Sequence, residues 1–164
     1  MKRAIIITIV LAISTAAWAA SPAAPRTNAV HPGLFELGLN LGEPTGLSGK
    51  LWFDRNSAVE GIAAWDFTQV AFVAALDYLF AFPDVLKIQN LSFPLFVGIG
   101  GITRLSAGAG GAPQVTIGLR VPLGILFVFA KVPLELSLDV VPGLNIFPAT
   151  TFLAMGGIAL RYCF

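Results

Sequence analysis

Ten ionisable side chains sit at alternating positions in otherwise apolar segments: Glu36, Lys50, Glu60, Asp66, Asp77, Arg104, Arg120, Glu135, Asp139 and Arg161. Three chemistries are open to such a set. Paired carboxylates act as general acid and base in hydrolysis. A chain of acids and bases relays protons or ions. Opposite charges held in apolar surroundings pair and fix a fold. Hydrolytic or acyl-transfer chemistry needs a base, usually His, beside Ser or Asp. The only histidine is His31, ahead of the first predicted strand and far from any partner. Asp66 and Glu43 are the carboxylates predicted near one rim, and they read as satisfied rim or interior charges. The single cysteine, Cys163, forms no internal disulfide, and no Cys/His cluster suits a metal. Residues 98–101 and 106–113 are glycine-rich, but no Lys or helix follows in phosphate-loop order. The expectation is therefore no catalytic, cofactor-binding or metal residue. The ten charges are expected to form a structural network, with Glu135, Asp139 and Glu36 as the possible carboxylate partners of Arg161.

The elements that must position those charges are strands. Residues 152–164 show the pattern best. Phe152, Ala154, Gly156, Ile158, Leu160, Tyr162 and Phe164 alternate with a second set that includes Arg161. A period of two means a strand with two unlike faces. The same reading predicts strands over 34–41, 47–53, 59–67, 70–80, 93–104, 115–129 and 134–141, with 152–164 as the eighth. Residues 115–129 place apolar side chains at every odd position, although Pro122 removes a ladder donor and predicts a bulge or bend. Connections are expected at 42–46, 54–57, 68–69, 81–90, 106–113, 130–133 and 142–150, several with strong turn chemistry. An even count suits antiparallel up-and-down closure.

Composition decides which face is outside. Hydrophobic residues make up 56% of the chain and charged ones 12%, against about 25% charged in ordinary soluble domains. Mean hydropathy is +0.82. All ten charges fall on one set of strand positions. They are too few to solvate the outside of a soluble barrel, yet six acids and four bases can pair inside a narrow one. Glycines on the same face (Gly38, Gly98, Gly100, Gly118, Gly124, Gly157) make room for long side chains. With strands running alternately up and down, Phe35, Phe53, Tyr78, Phe80, Phe93, Phe127, Phe129, Tyr162 and Phe164 fall near one rim, and Trp65, Phe67, Phe72 and Phe152 near the other. Two aromatic girdles are what a membrane barrel carries. The expected fold is all-β, an eight-stranded antiparallel up-and-down transmembrane β-barrel.

Residues 1–19 read as a secretory signal peptide. Lys2 and Arg3 open it, an apolar run follows, and Ala17-Trp18-Ala19 supplies the small residues of a cleavage site after Ala19. Residues 20–32 are a Pro- and Ala-rich irregular lead, and 33–164 are the barrel. A formal charge of +1 and the lack of a basic run give no argument for nucleic acid. The terminal alternating strand, with Tyr162 and Phe164, is the expected assembly signal.

Several motifs carry a resemblance. They are Gly42-Glu43-Pro44-Thr45-Gly46-Leu47-Ser48-Gly49-Lys50, Asp77-Tyr78-Leu79-Phe80, Gly98-Ile99-Gly100-Gly101, Arg120-Val121-Pro122-Leu123-Gly124, Glu135 with Val141-Pro142, and Gly156-Gly157-Ile158 with Arg161-Tyr162-Cys163-Phe164. In this order they resemble a family of small, uncharacterised predicted bacterial outer-membrane β-barrel proteins, over about residues 33–164. Such chains end in a run like Arg-Tyr-Tyr-Phe; here Cys163 replaces one aromatic. The resemblance implies an OmpX-like architecture, assembly by the outer-membrane barrel insertion machinery with periplasmic chaperones, and no catalysis. The expected function is a structural or envelope-stabilising role in the outer membrane, as a monomer in lipid. Two alternatives stand beside it: a surface binding module using 105–114 and 142–150, and a narrow pore.

Overall fold

A computed structural model describes residues 33–66, 71–88, 91–108, 112–129 and 132–164. The predicted signal peptide with Ala19, the lead with His31, and Phe67 lie outside the described residues. The strands are β1 (Phe35–Glu43), β2 (Gly46–Trp52), β3 (Ser57–Asp66), β4 (Ala71–Ile88), β5 (Leu91–Ala107), β6 (Pro113–Arg120), β7 (Leu123–Val128), β8 (Leu134–Phe147) and β9 (Thr151–Cys163). All pairings are antiparallel. Each strand pairs with its sequence neighbours, except that β6 and β7 lie end to end between β5 and β8 and together make one stave. β1 also pairs with β9, from Glu36↔Cys163 to Glu43↔Gly156, which closes the sheet. With β6 and β7 counted once, the fold is a closed eight-stranded antiparallel barrel, as the alternation predicts.

Three connections are shorter than expected. β4 continues to Ile88 and β5 begins at Leu91, so most of 81–90 is strand. The pairing shifts between Phe82 and Leu86, and this irregularity takes up Pro83, which has no donor for the ladder. β8 runs on to Phe147, and Asn145 pairs with Thr151, so residues 142–147 are strand. β5 reaches Ala107 and β6 starts at Pro113.

The bulge expected at Pro122 is not there. Gly100↔Arg120 and Val97↔Leu123 are equally spaced on both strands, as are Arg120↔Gly143 and Leu123↔Val140. The ladder lapses for Val121 and Pro122 and resumes in the same register. The Gly98 amide donates to the Pro122 carbonyl at 2.8 Å, and the Val121 amide to the Pro142 carbonyl at 2.9 Å. Gly98 makes this possible. A Cβ there would stand 2.7 Å from the Tyr78 carbonyl oxygen and 2.9 Å from Pro122 Cγ. The empty side-chain position accepts the proline ring.

The two faces differ as sharply as the sequence suggests. Leu76, Val140 and Phe152 point outward with 63%, 62% and 72% of their surface exposed. The inward set is buried and falls into layers. Leu34, Trp52, Ala58, Leu79, Ala81, Phe96, Leu126 and Cys163 pack together toward the rim where β1 begins and β9 ends. Ile62, Ala64, Val73, Ala75, Ile102, Val141 and Met155 pack together toward the opposite rim. The charges lie between. Along β3 the inward order is Ala58, Glu60, Ile62, and along β4 it is Leu79, Asp77, Ala75.

Gly98→Val is expected to lower the unfolding free energy by about 1–3 kcal/mol, the usual cost of forcing extra methyl groups into packed surroundings. The readout is a lower denaturant midpoint with an unchanged slope. An unchanged midpoint would mean that Gly98 does not seat Pro122.

Candidate functional site

Strand register builds the site. One row of paired residues runs Glu36↔Lys50↔Glu60↔Asp77↔Gly100↔Arg120 around the barrel from β1 to β6. Arg161 enters from β9, opposite Glu135 on β8. All of these positions share the inward parity of their strands, so alternation alone turns every charge into the lumen. Glu36, Lys50, Glu60, Asp77, Arg120, Glu135 and Arg161 are all buried.

Arg161 is the hub. Its Nε donates to Ser48 Oγ at 2.7 Å, and one terminal nitrogen donates to Glu135 Oε1 at 3.0 Å and Ser137 Oγ at 2.9 Å. The other terminal nitrogen pairs with Glu60. Ser48 Oγ in turn donates to Glu60 Oε1 at 2.9 Å. Lys50 Nζ meets Glu135 Oε1 at 2.5 Å and stands 3.8 Å from Glu36 Oε2. Trp52 Nε1 donates to Glu36 Oε1 at 2.9 Å. The Lys50 ammonium also lies 5.3 Å from the Trp52 ring centre and 6.0 Å from that of Phe96, within cation–π range.

A second, smaller pair sits farther round. Asp77 Oδ1 lies 3.1 Å from Arg120 Nε, close enough for an ion pair but not aligned as a hydrogen bond. The pair reaches across Gly100, where a Cβ would collide with Asp77 Oδ1. Gly38 does the same for the hub, lying opposite both Arg161 and Ser48 while those two bond across it. Asp139 accepts the Gly157 amide at 2.8 Å. Arg104 is only partly buried and pairs with Glu43 at 3.7 Å toward the opposite rim. Asp66 lies in β3 beside Ala71 of β4.

The structure thus brings together seven of the ten charges picked from the sequence, in two groups, and leaves Asp66, Arg104 and Asp139 apart from them. Arg161 finds Glu135 and, less expectedly, Glu60; Asp139 and Glu36 were the other partners anticipated. Ser48, Ser137 and Trp52 are members the charge pattern misses. Their signal was parity, since each sits on the inward set of its strand. Among the described residues, no group of three or more His, Cys, Asp or Glu side chains is placed to hold a metal ion.

Outside, aromatic rings cluster near the first rim. Phe35 meets Phe164 (5.8 Å between ring centres), Phe164 meets Tyr162 (4.9 Å), Tyr78 meets Phe80 (4.8 Å), and Phe127 meets Phe129 (4.6 Å). Trp65 and Phe72 pair near the other rim at 6.3 Å. The terminal strand is tied in to its end, as the Phe164 amide donates to the Phe35 carbonyl at 2.8 Å.

Arg161→Met is expected to destabilise the barrel by about 3–5 kcal/mol, because Glu60 stays buried while losing its cation and Glu135 keeps only Lys50. Adding Glu60→Gln to that variant should recover part of the loss. Equilibrium unfolding of both variants checks this, and a second substitution that deepens the loss would contradict the pairing.

A family model described as "Protein of unknown function (DUF3996)" matches residues 27–162. No curated protein and no solved structure matches the chain.

Proposed function

The chain belongs to the DUF3996 family, and we propose that it is a filled, non-conducting β-barrel of the bacterial outer membrane whose role is structural. One observation carries the reading: the barrel is apolar outside and charged inside. Water-soluble barrels do the reverse, while membrane barrels face lipid with an apolar band. The outer surface of β1 alone exposes Phe35, Leu37, Leu39 and Leu41. In water such a surface would associate. In lipid it is the favourable solvent contact, and closure leaves no unpaired sheet edge for the bilayer.

Dimensions and rims support the same reading. β1, β3 and β9 have 9, 10 and 13 residues, near the roughly 9–11 that cross a bilayer at a tilt. The aromatic clusters suit the two interfaces. Export by a signal peptide cleaved after Ala19 and insertion by the barrel assembly machinery, with Tyr162 and Phe164 as the recognised end, complete the proposal.

The packed lumen argues against a pore. Two apolar layers flank the charges, and an eight-stranded barrel is just wide enough for side chains to fill. It argues equally against catalysis in the lumen, because Glu36, Glu60, Asp77 and Glu135 are buried and shielded from any substrate. The segments 105–114 and 142–150, candidates for a binding surface, are largely strand ends. A structural, monomeric barrel is the reading these features favour.

Cell fractionation should place the protein with the outer membrane, and the purified barrel should migrate differently on gels before and after heating. Recovery with soluble periplasmic proteins would refute the proposal. In planar bilayers no stable single-channel current is expected; a sizeable one would contradict the packed lumen. Deleting Phe164 should reduce the inserted, heat-modifiable form, and normal levels of that form would remove the assembly role given to the last strand.

A further inference from the structure

The charges around Lys50 do not balance. Glu36, Glu60 and Glu135 gather there against Lys50 and Arg161 alone. The hydrogen bonds of the cluster leave two oxygens out. Lys50 serves Glu135, Arg161 serves Ser48, Glu60, Glu135 and Ser137, Ser48 serves Glu60, and Trp52 serves Glu36 Oε1. Two carboxylate oxygens, Glu36 Oε2 and Glu135 Oε2, accept no hydrogen bond from the described residues, and both side chains are fully buried. The Lys50 ammonium stands between their carboxyl groups, 2.5 Å from Glu135 Oε1 and 3.8 Å from Glu36 Oε2. The second distance is too long for a hydrogen bond. The two carboxyl groups thus flank one ammonium.

We propose that Glu36 and Glu135 share one bound proton, carried on Glu36 Oε2 and donated to Glu135 Oε2. A single proton supplies the one donor that two orphaned oxygens lack. It also neutralises the group, leaving two carboxylates against two cations in surroundings where an unpaired charge is costly. The other ionisable groups facing the cluster are less suited. Glu60 on β3 receives both Arg161 and Ser48. Asp77 on β4 has Arg120 of β6 to itself. Asp139 on β8 accepts a backbone amide. Cys163 on β9, opposite Glu36 in the register, packs in the apolar layer. The proton site is thus a buried carboxyl–carboxylate pair joining β1 to β8 through the lumen, two strands separated in the sheet by β9.

Infrared spectroscopy of the purified, folded barrel tests this, with glutamate side chains carrying a carbon-13 carboxyl label. At neutral pH the wild type should show a label-sensitive stretch of a protonated carboxyl, and Glu36→Gln should abolish it. Absence of that band from the wild type overturns the proposal, whether or not any variant folds. A band that persists in Glu36→Gln puts the proton elsewhere and overturns it too. Stability gives a second readout. The glutamine amide of Glu36→Gln can donate as the carboxyl does, so its unfolding equilibrium should stay within about threefold of wild type. Glu135→Gln strips a charge from Lys50 and Arg161 and should shift that equilibrium on the order of 100-fold or more. Equal losses in the two variants would make Glu36 an ordinary anion and end the proposal.

Discussion

The contact on which the rest of the barrel depends is the Arg161 guanidinium in the lumen. From β9 it reaches Ser48 on β2, Glu60 on β3, and Glu135 and Ser137 on β8. Backbone pairing joins only neighbouring strands; this one side chain joins strands that are not neighbours. It does so because Gly38 of β1 lies between Arg161 and Ser48 and leaves the space empty. Gly100 plays the same part for Asp77 and Arg120. A narrow barrel has room for long charged side chains only where other inward positions hold little or nothing.

Buried ion pairs of this kind add little net stability over apolar packing, whereas losing one partner is expensive. That asymmetry sets what the network is good for. A barrel closes by bringing β1 to β9, and the outward faces of those strands are uniformly apolar, so outward contacts discriminate poorly among registers. A slip of one residue would turn Glu36 outward and Leu37 inward and would reverse every later pair on that strand. A slip of two would keep the faces but set Arg161 against the wrong carboxylates. Wrong closures incur the one-sided cost several times over. The network therefore rejects wrong registers more strongly than it favours the right one.

Much of this was legible in the chain. A period of two assigns the strands and their inward face, and it does so without knowledge of contacts, because alternation is a property of the extended backbone. Seven inward charges meet as their parity requires. Register was not legible. That Glu60 rather than Asp139 would meet Arg161 depends on the stagger accumulated around the barrel, which local sequence does not encode. Strand ends were missed for a related reason. Residues such as Pro83, Pro142 and Asn145 look like loop residues, yet in a closed sheet a bulge or a hairpin mate absorbs them. Pro122 misled in the same way. Its tolerance rests on Gly98, more than twenty residues earlier, and only pairing reveals that the two are opposite.

The layering explains why the lumen holds ions at all. Trp52, Phe96 and Leu126 close one side of the charged zone, and Ile62, Ile102 and Met155 close the other. Between such layers the effective dielectric is low, so opposite charges attract strongly and an unpaired one is penalised heavily. A wholly apolar lumen would avoid that penalty. It would also leave a strand apolar on both faces, free to settle with either side toward the core. The charges remove that freedom, since a strand that carries them has only one wholly apolar face. The same side chains that hold the barrel shut from within thus specify which surface is its outside.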